Sequence, residues 1–176
     1  MRQQRHESAE SVITLRLWSQ SGAVNLAPYV RSLMQSIRNE WLQLRQAQER
    51  KRRMEARTGV ANRDALIQLS DVEREISRNQ GNLEETVEEL VGLSVYCLDP
   101  ATGLAVIPSL SEGDLAWFIF DLFDPAGIVA WRKHTDPLET RRPLSEFIGT
   151  EPDSGSAPPV TELPGPAADP LDGTGA

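Results

Sequence analysis

A histidine near several carboxylates, one thiol and two groups of cations are the side chains in this 176-residue chain whose types could do chemistry. His134, Asp136 and Asp121, with Asp124 nearby, could begin a metal site, which needs three or four converging ligands. The other histidine, His6, stands in the polar N-terminal stretch. The plainer reading is a histidine at a strand end among surface carboxylates, with Asp121 paired diagonally to Arg132 across a hairpin. Cys97 would be a nucleophile only beside a base in an electropositive setting. It lies in the apolar run Val95-Tyr96-Cys97-Leu98, which suits an inert, half-buried thiol. A single cysteine excludes an internal disulfide and a cysteine-built zinc site. No glycine-rich phosphate loop, nucleophile elbow or His-Glu-x-x-His pair occurs, so no catalytic residue, metal or cofactor is expected.

The cations form two groups. Arg50-Lys51-Arg52-Arg53, extended by Arg57, could neutralise several phosphates of a nucleic acid. Glu49 and Glu55 flank this run, no aromatic residue interleaves with it, and a helix C-terminus favours cations in any case. Nucleic-acid binding is therefore the second choice. Arg132, Arg141 and Arg142 could hold an anionic ligand or a partner's carboxylate. Pairing with Glu139 and the acidic C-terminal segment is the more economical reading.

These groups must be positioned by elements that the rest of the sequence defines. The chain carries 18 Lys/Arg against 26 Asp/Glu, a net charge of −8, unevenly spread. Residues 1–57 are net +6, 58–100 net −6, 101–144 net −2 and 145–176 net −6. Successive basic and acidic blocks within one domain usually meet in the fold. The segment 145–176 has six prolines, five glycines and no Lys or Arg, and reads as a disordered acidic tail. Residues 1–11 read as a flexible N-terminus. No apolar run approaches the roughly 20 residues that cross a bilayer, and no apolar leader precedes a cleavage site, so a cytoplasmic protein is expected.

Between these ends lies one domain, 12–144. Ser19 can cap a short turn ending near Ala27, and Pro28 suits the first turn of a longer helix. Together they give a helix over about 19–57, in which Leu26, Val30, Leu33, Ile37, Trp41 and Leu44 form one apolar stripe. A second helix spans about 63–93, from a cap near Asn62, with Leu69, Ile76, Leu83 and Leu90 seven residues apart. Asn79, Gln80 and Gly81 are its weak middle. An antiparallel hairpin of the two would lay Arg31 and Arg38 along Glu84, Glu85, Glu88 and Glu89. Past Gly92 the period changes to two, predicting strands over Ser94–Leu98, Leu104–Ile107, Leu115–Phe123 and Gly127–Arg132. Asp124-Pro125-Ala126-Gly127 suits a type I turn. It would pair Phe120 with Trp131 and Leu122 with Val129, putting Phe118, Phe120, Leu122, Val129 and Trp131 on one face as a floor for the helices. The opposite face, with Trp117, Ile119, Asp121, Phe123, Ala130, Arg132 and His134, is too apolar for plain solvent surface and calls for further chain or another subunit.

Several of these residues fit a known pattern. Trp18-Ser19, Ala23, Leu26 and Pro28, then Gly92, Val95, Asp99, Gly103-Leu104 and Pro108, then Trp131, Arg141 and Pro143, resemble an uncharacterised prokaryotic family catalogued as domain of unknown function 2203. The likeness covers about 18–144. Trp131-Arg132 stands where that family has Trp-His, Phe120-Asp121 where it has Cys-Trp, and Val106 where it has an acidic residue. No activity is established for the family, so the resemblance implies the fold alone.

The expected protein is thus α+β, an antiparallel helical hairpin packed on a small antiparallel sheet of about four strands, with a disordered tail. Its expected role is non-enzymatic: a protein-interaction or assembly module, homo-oligomeric or bound to a protein partner, using Trp117, Ile119, Phe123 and Arg132. A nucleic-acid accessory role for Arg50–Arg53 is the alternative, and a metal-dependent enzyme around His134, Asp136 and Asp121 the second. No membrane partner is expected.

Overall fold

The structure, a computed structural model, describes residues 14–57 and 63–150; the expected flexible N-terminus and residues 151–176 of the expected tail lie outside them. Two long helices, α1 (Gln20–Arg57) and α2 (Arg63–Gly92), precede four strands: β1 (Tyr96–Asp99), β2 (Leu104–Ser111), β3 (Asp114–Asp121) and β4 (Ile128–Lys133). The strands form one antiparallel sheet in the order β1-β2-β3-β4, and the helices pair as an antiparallel hairpin on one of its faces. This is an α+β fold. Among the described residues no helix is long and apolar enough to cross a membrane.

The first helix matches the expected span, and the short turn from Ser19 runs into the longer helix without a break. Ser19 caps it, its hydroxyl accepting the Gly22 N–H at 3.0 Å, and Pro28 falls inside it. A proline costs a helix the bond to the carbonyl four residues back. Here Val24 and Pro28 both face solvent, so that carbonyl remains open to water, while Ala27 and Val30 beside them are buried. Burial on one side thus carries the helix past a break on the other. α2 also runs unbroken through Asn79-Gln80-Gly81, with Asn79 buried in the seam between the helices.

The core lies between α1, the end of α2 and the sheet. Ala23, Ala27, Val30, Leu33, Met34 and Ile37 of α1 meet Leu90 of α2 and Ile107, Phe118, Phe120, Leu122, Ile128 and Trp131 from the sheet. Beyond Ile37 α1 contributes nothing to this cluster. At 38 residues it is about 57 Å long, against about 27 Å for the eight-residue strands, so the distal hairpin projects past the sheet.

Three details of the sheet depart from expectation. β2 continues through Pro108 to Ser111, because the proline's missing N–H faces the side where β1 has already ended; there the Pro108 carbonyl accepts the Trp18 N–H at 2.9 Å. The β3–β4 register is also different: Phe118 pairs with Trp131 and Phe120 with Ile128, across a bulge. The Asp124–Gly127 turn forms as expected, but Asp121 N–H to Gly127 O (2.8 Å) closes the ladder early and leaves Leu122 to bond Gly103 O (3.0 Å). Ile128, rather than Val129, therefore joins the floor. Finally, the expected tail begins too early. Trp131 bridges Arg142, a 3-10 turn covers Leu144–Glu146, the Phe147 ring lies 4.6 Å from that of Phe118 and 5.2 Å from that of Trp131, and Gly149 bridges Ser111. Leu144–Thr150 is a strap running from the β4 edge to the β2 edge over the end of the core.

Glu112 and Gly113 join β2 to β3 with φ of 54° and 88°, the two left-handed residues of a two-residue hairpin turn. Glutamate pays a steric cost there that asparagine largely avoids. Its exposed contact to Lys133 at 3.7 Å contributes little in return. Glu112→Asn should therefore stabilise the protein by about 0.5–1 kcal/mol, raising the thermal midpoint by about 2–4 °C; an unchanged or lower midpoint in calorimetry would refute the turn assignment.

Candidate functional site

The candidate residues fall in three places. At the end of β4 the proposed metal group is dispersed. His134 is exposed, and its Nδ1 accepts the Trp117 indole N–H at 3.0 Å. The Asp121 carboxylate accepts the Phe123 N–H (2.9 Å) and that of Asp124 the Ala126 N–H (2.8 Å), each closing its own turn. Asp136 faces the other way, taking a bidentate bond from Arg142 (2.8 and 2.9 Å) and the Lys133 N–H (2.9 Å). Among the described residues no three His, Cys, Asp or Glu side chains converge.

The Arg142 guanidinium, with the Lys133 amide, holds the Asp136 carboxyl down at about 2. Arg132 does not pair with Asp121 as expected; its Nη1 donates to the carbonyls of Asp136 (3.0 Å) and Lys133 (3.3 Å). Arg141 donates to the carbonyls of Leu138 and Thr140. The three arginines therefore make no shared anion cradle. Arg132 and Arg142 instead fasten the loop after β4 to the sheet. Asp136 is depressed in the folded state, so its stabilisation is complete above the ordinary carboxylate value near 3.8 and is lost as pH falls through about 2. Asp136→Asn should lower the urea midpoint at pH 7, with the gap to the parent closing between about pH 4 and pH 2; a pH-independent gap would place the effect elsewhere.

The second place is the sheet face away from the helices. Ile119 and Arg132, expected as interaction surface, are 1% and 7% exposed, and Val106 and Ala130 are buried beside them. They are buried within the chain itself. Tyr96, Trp117 and His134 form a row of rings across this face, with centroids 6.1 and 6.0 Å apart. Phe123, 62% exposed, lies off the sheet in the β3–β4 loop beneath Arg38, whose guanidinium is 5.2 Å from its ring. The apolarity that suggested a partner is largely satisfied by the chain's own rings. Trp117→Ala should accordingly cost about 2 kcal/mol in urea unfolding, below the 3–5 kcal/mol of a fully buried tryptophan; unchanged stability would restore Trp117 as pure interaction surface. Cys97, at the strand beyond, has its thiol pushed up to about 11 by burial and then by Asp99, which makes it a poor nucleophile.

The third place is the distal hairpin. Arg50 reaches Glu75 of α2 at 2.6 Å and Lys51 reaches Glu73 at 2.8 Å, while Arg52 and Arg53 both pair with Glu49 at 3.0 and 3.1 Å. Each of the four cations has a carboxylate, and this weakens the stripe as a phosphate site. Arg31 and Arg38 do not lie along the α2 glutamates. Arg31 donates to the carbonyls of Leu122 and Asp124 (both 2.6 Å), and Arg38 to that of Ala101 (3.3 Å), pinning sheet loops to α1. Tyr29, which the sequence reading passed over, donates its hydroxyl to Glu89 instead. At the hairpin tip Leu66 and Ile67 are 55% and 49% exposed, which the apolar stripe of α2 gave no sign of.

A concavity of about 540 Å³ opens between the start of α1 and the strap, lined by Ser19, Ser109 and Thr150. Those hydroxyls are already engaged: Ser19 in the cap, Ser109 with the Trp18 carbonyl (2.7 Å), and Thr150 with the Gly113 N–H (3.1 Å). No family model, curated protein or solved structure matches this chain.

Proposed function

We propose that this chain is a non-enzymatic interaction module that engages protein through the free part of its helical hairpin. One observation carries the reading: α1 and α2 run well past the sheet, packed there on each other among the described residues, and the first turns of α2 carry two adjacent exposed apolar side chains, Leu66 and Ile67. Two neighbouring apolar side chains on a projecting lever, outside the core, are placed where a partner could cover them. The dispersal of His134, Asp136 and Asp121 and the raised Cys97 thiol support a role without chemistry. The resemblance to domain of unknown function 2203, which we keep as a proposal, supplies no competing activity.

The test is capture of partners, including differently tagged copies of the chain itself, after crosslinking in the native cell. Leu66→Glu with Ile67→Glu should lose the proteins that the parent retains, while Leu138→Glu, altering an equally exposed leucine on the sheet side, should keep them. Equal capture by both variants, or none by the parent, would overturn the reading.

A further inference from the structure

We propose that two copies of the chain pair side by side through antiparallel hairpins, the basic distal end of α1 in each lying along the acidic end of α2 in the other. The inference rests on the interaction-module reading and names its partner: a second copy.

The hairpin carries its charge in two blocks. Residues 41–57 of α1 hold six Lys/Arg and two Glu, whereas residues 79–92 of α2 hold four Glu and no cation. Within one copy the blocks stand at different heights. The Thr86 hydroxyl bonds Glu40 (3.2 Å), so the glutamates of α2 lie level with the middle of α1. Arg52, twelve residues farther along, is about 18 Å away down the axis. Lys51 and Arg50 are taken up by Glu73 and Glu75, but Arg52 and Arg53 share one carboxylate and remain 78% and 72% exposed. Arg45 has no carboxylate partner among the described residues and lies over the Trp41 ring. On the other side, Glu84, Glu85 and Glu88 form no ion pair with a described residue, and Glu88 stands about one turn from the helix end, where the backbone dipole disfavours negative charge. The arginines expected to neutralise them, Arg31 and Arg38, are committed to the sheet loops.

A two-fold axis at about the level of Gln46 places Arg52 of each copy beside the glutamates of the other, making two equivalent contacts from one surface. A parallel pairing would set like charge on like, so the segregation selects the antiparallel arrangement. The same rotation brings the apolar tip of one copy to within about a turn of Tyr29 and Val91, which are 46% and 44% exposed at the base of the other. Charge and apolar surface thus call for the same symmetry.

The decisive experiment is a charge exchange on the full chain, read by light scattering and sedimentation. The parent should show twice the monomer mass at low salt and dissociate as salt rises. One variant carries Arg45→Glu, Arg52→Glu and Arg53→Glu; the other carries Glu84→Lys, Glu85→Lys and Glu88→Lys. Each alone should be a monomer with parental helix content by circular dichroism, and an equimolar mixture should recover the doubled mass. A parent that stays monomeric at low salt, single variants that remain dimeric, or a mixture that stays monomeric would each overturn the proposal. Should a variant lose helix content, the parent's salt titration still decides. A monomeric parent that nonetheless captures other proteins through Leu66 and Ile67 would leave the module reading standing, so the two failures are distinguishable.

Discussion

The first five turns of α1 must bury two faces at once, and the remaining architecture follows from that. Ala23, Ala27, Val30, Leu33, Met34 and Ile37 are all buried in one cluster that takes side chains from both the sheet and α2, so this half of the helix is wedged between two partners. Small side chains make the wedge tight: a Cβ added at Gly127 would stand 3.2 Å from that of Ala27. Close approach also brings Arg31 within reach of the β3–β4 loop, where it bonds the Leu122 carbonyl and shares that of Asp124 with the Gly127 N–H. Beyond Ile37 only Ala47 of α1 is fully buried, with Trp41, Leu42, Leu44 and Met54 half-covered.

The periodicity of the sequence made the broad layout legible. A seven-residue spacing in α2 and the change of period after Gly92 are local signals, and both survive because tertiary burial agrees with them. The departures arise where a long-range contact overrides a local rule. Pro28 reads as a helix start, yet burial of its neighbours carries the helix through it. Pro108 reads as a strand end, yet it falls on an edge that Trp18 completes from ninety residues away in sequence. The strap at 144–150 was invisible for the opposite reason. It has no period, and it is held by long-range contacts: Phe147 on Phe118 and Trp131, and backbone bonds to the end of β2.

The candidate site was legible as a set of residues and illegible as a set of partners. Sequence could place Asp136 beside Lys133 and His134, but a bidentate bond from Arg142 depends on the chain turning back along β4. Sequence could also see that the face bearing Ile119 is apolar. Whether neighbouring rings or a foreign surface cover it depends on lateral strand order, which sets Tyr96, Trp117 and His134 in one row.

Charge behaves differently from apolar surface in this molecule. The large apolar groups of the core are covered by α1, α2 and the sheet, whereas Glu84, Glu85 and Glu88 near the end of α2 meet no cation among the described residues. The cations expected to meet them, Arg31 and Arg38, bond backbone carbonyls of the sheet loops instead, and an exposed ion pair with a glutamate would have offered little more. The cations farthest from them, at the other end of α1, are too many for the carboxylates beside them. Rigid helices keep the surplus of each sign apart, since no bend of a two-helix lever can bring its tip back to its base. Separated charge on a stiff element can be neutralised only by solvent ions or by another molecule with the opposite order. An inverted copy of the same lever is such a molecule.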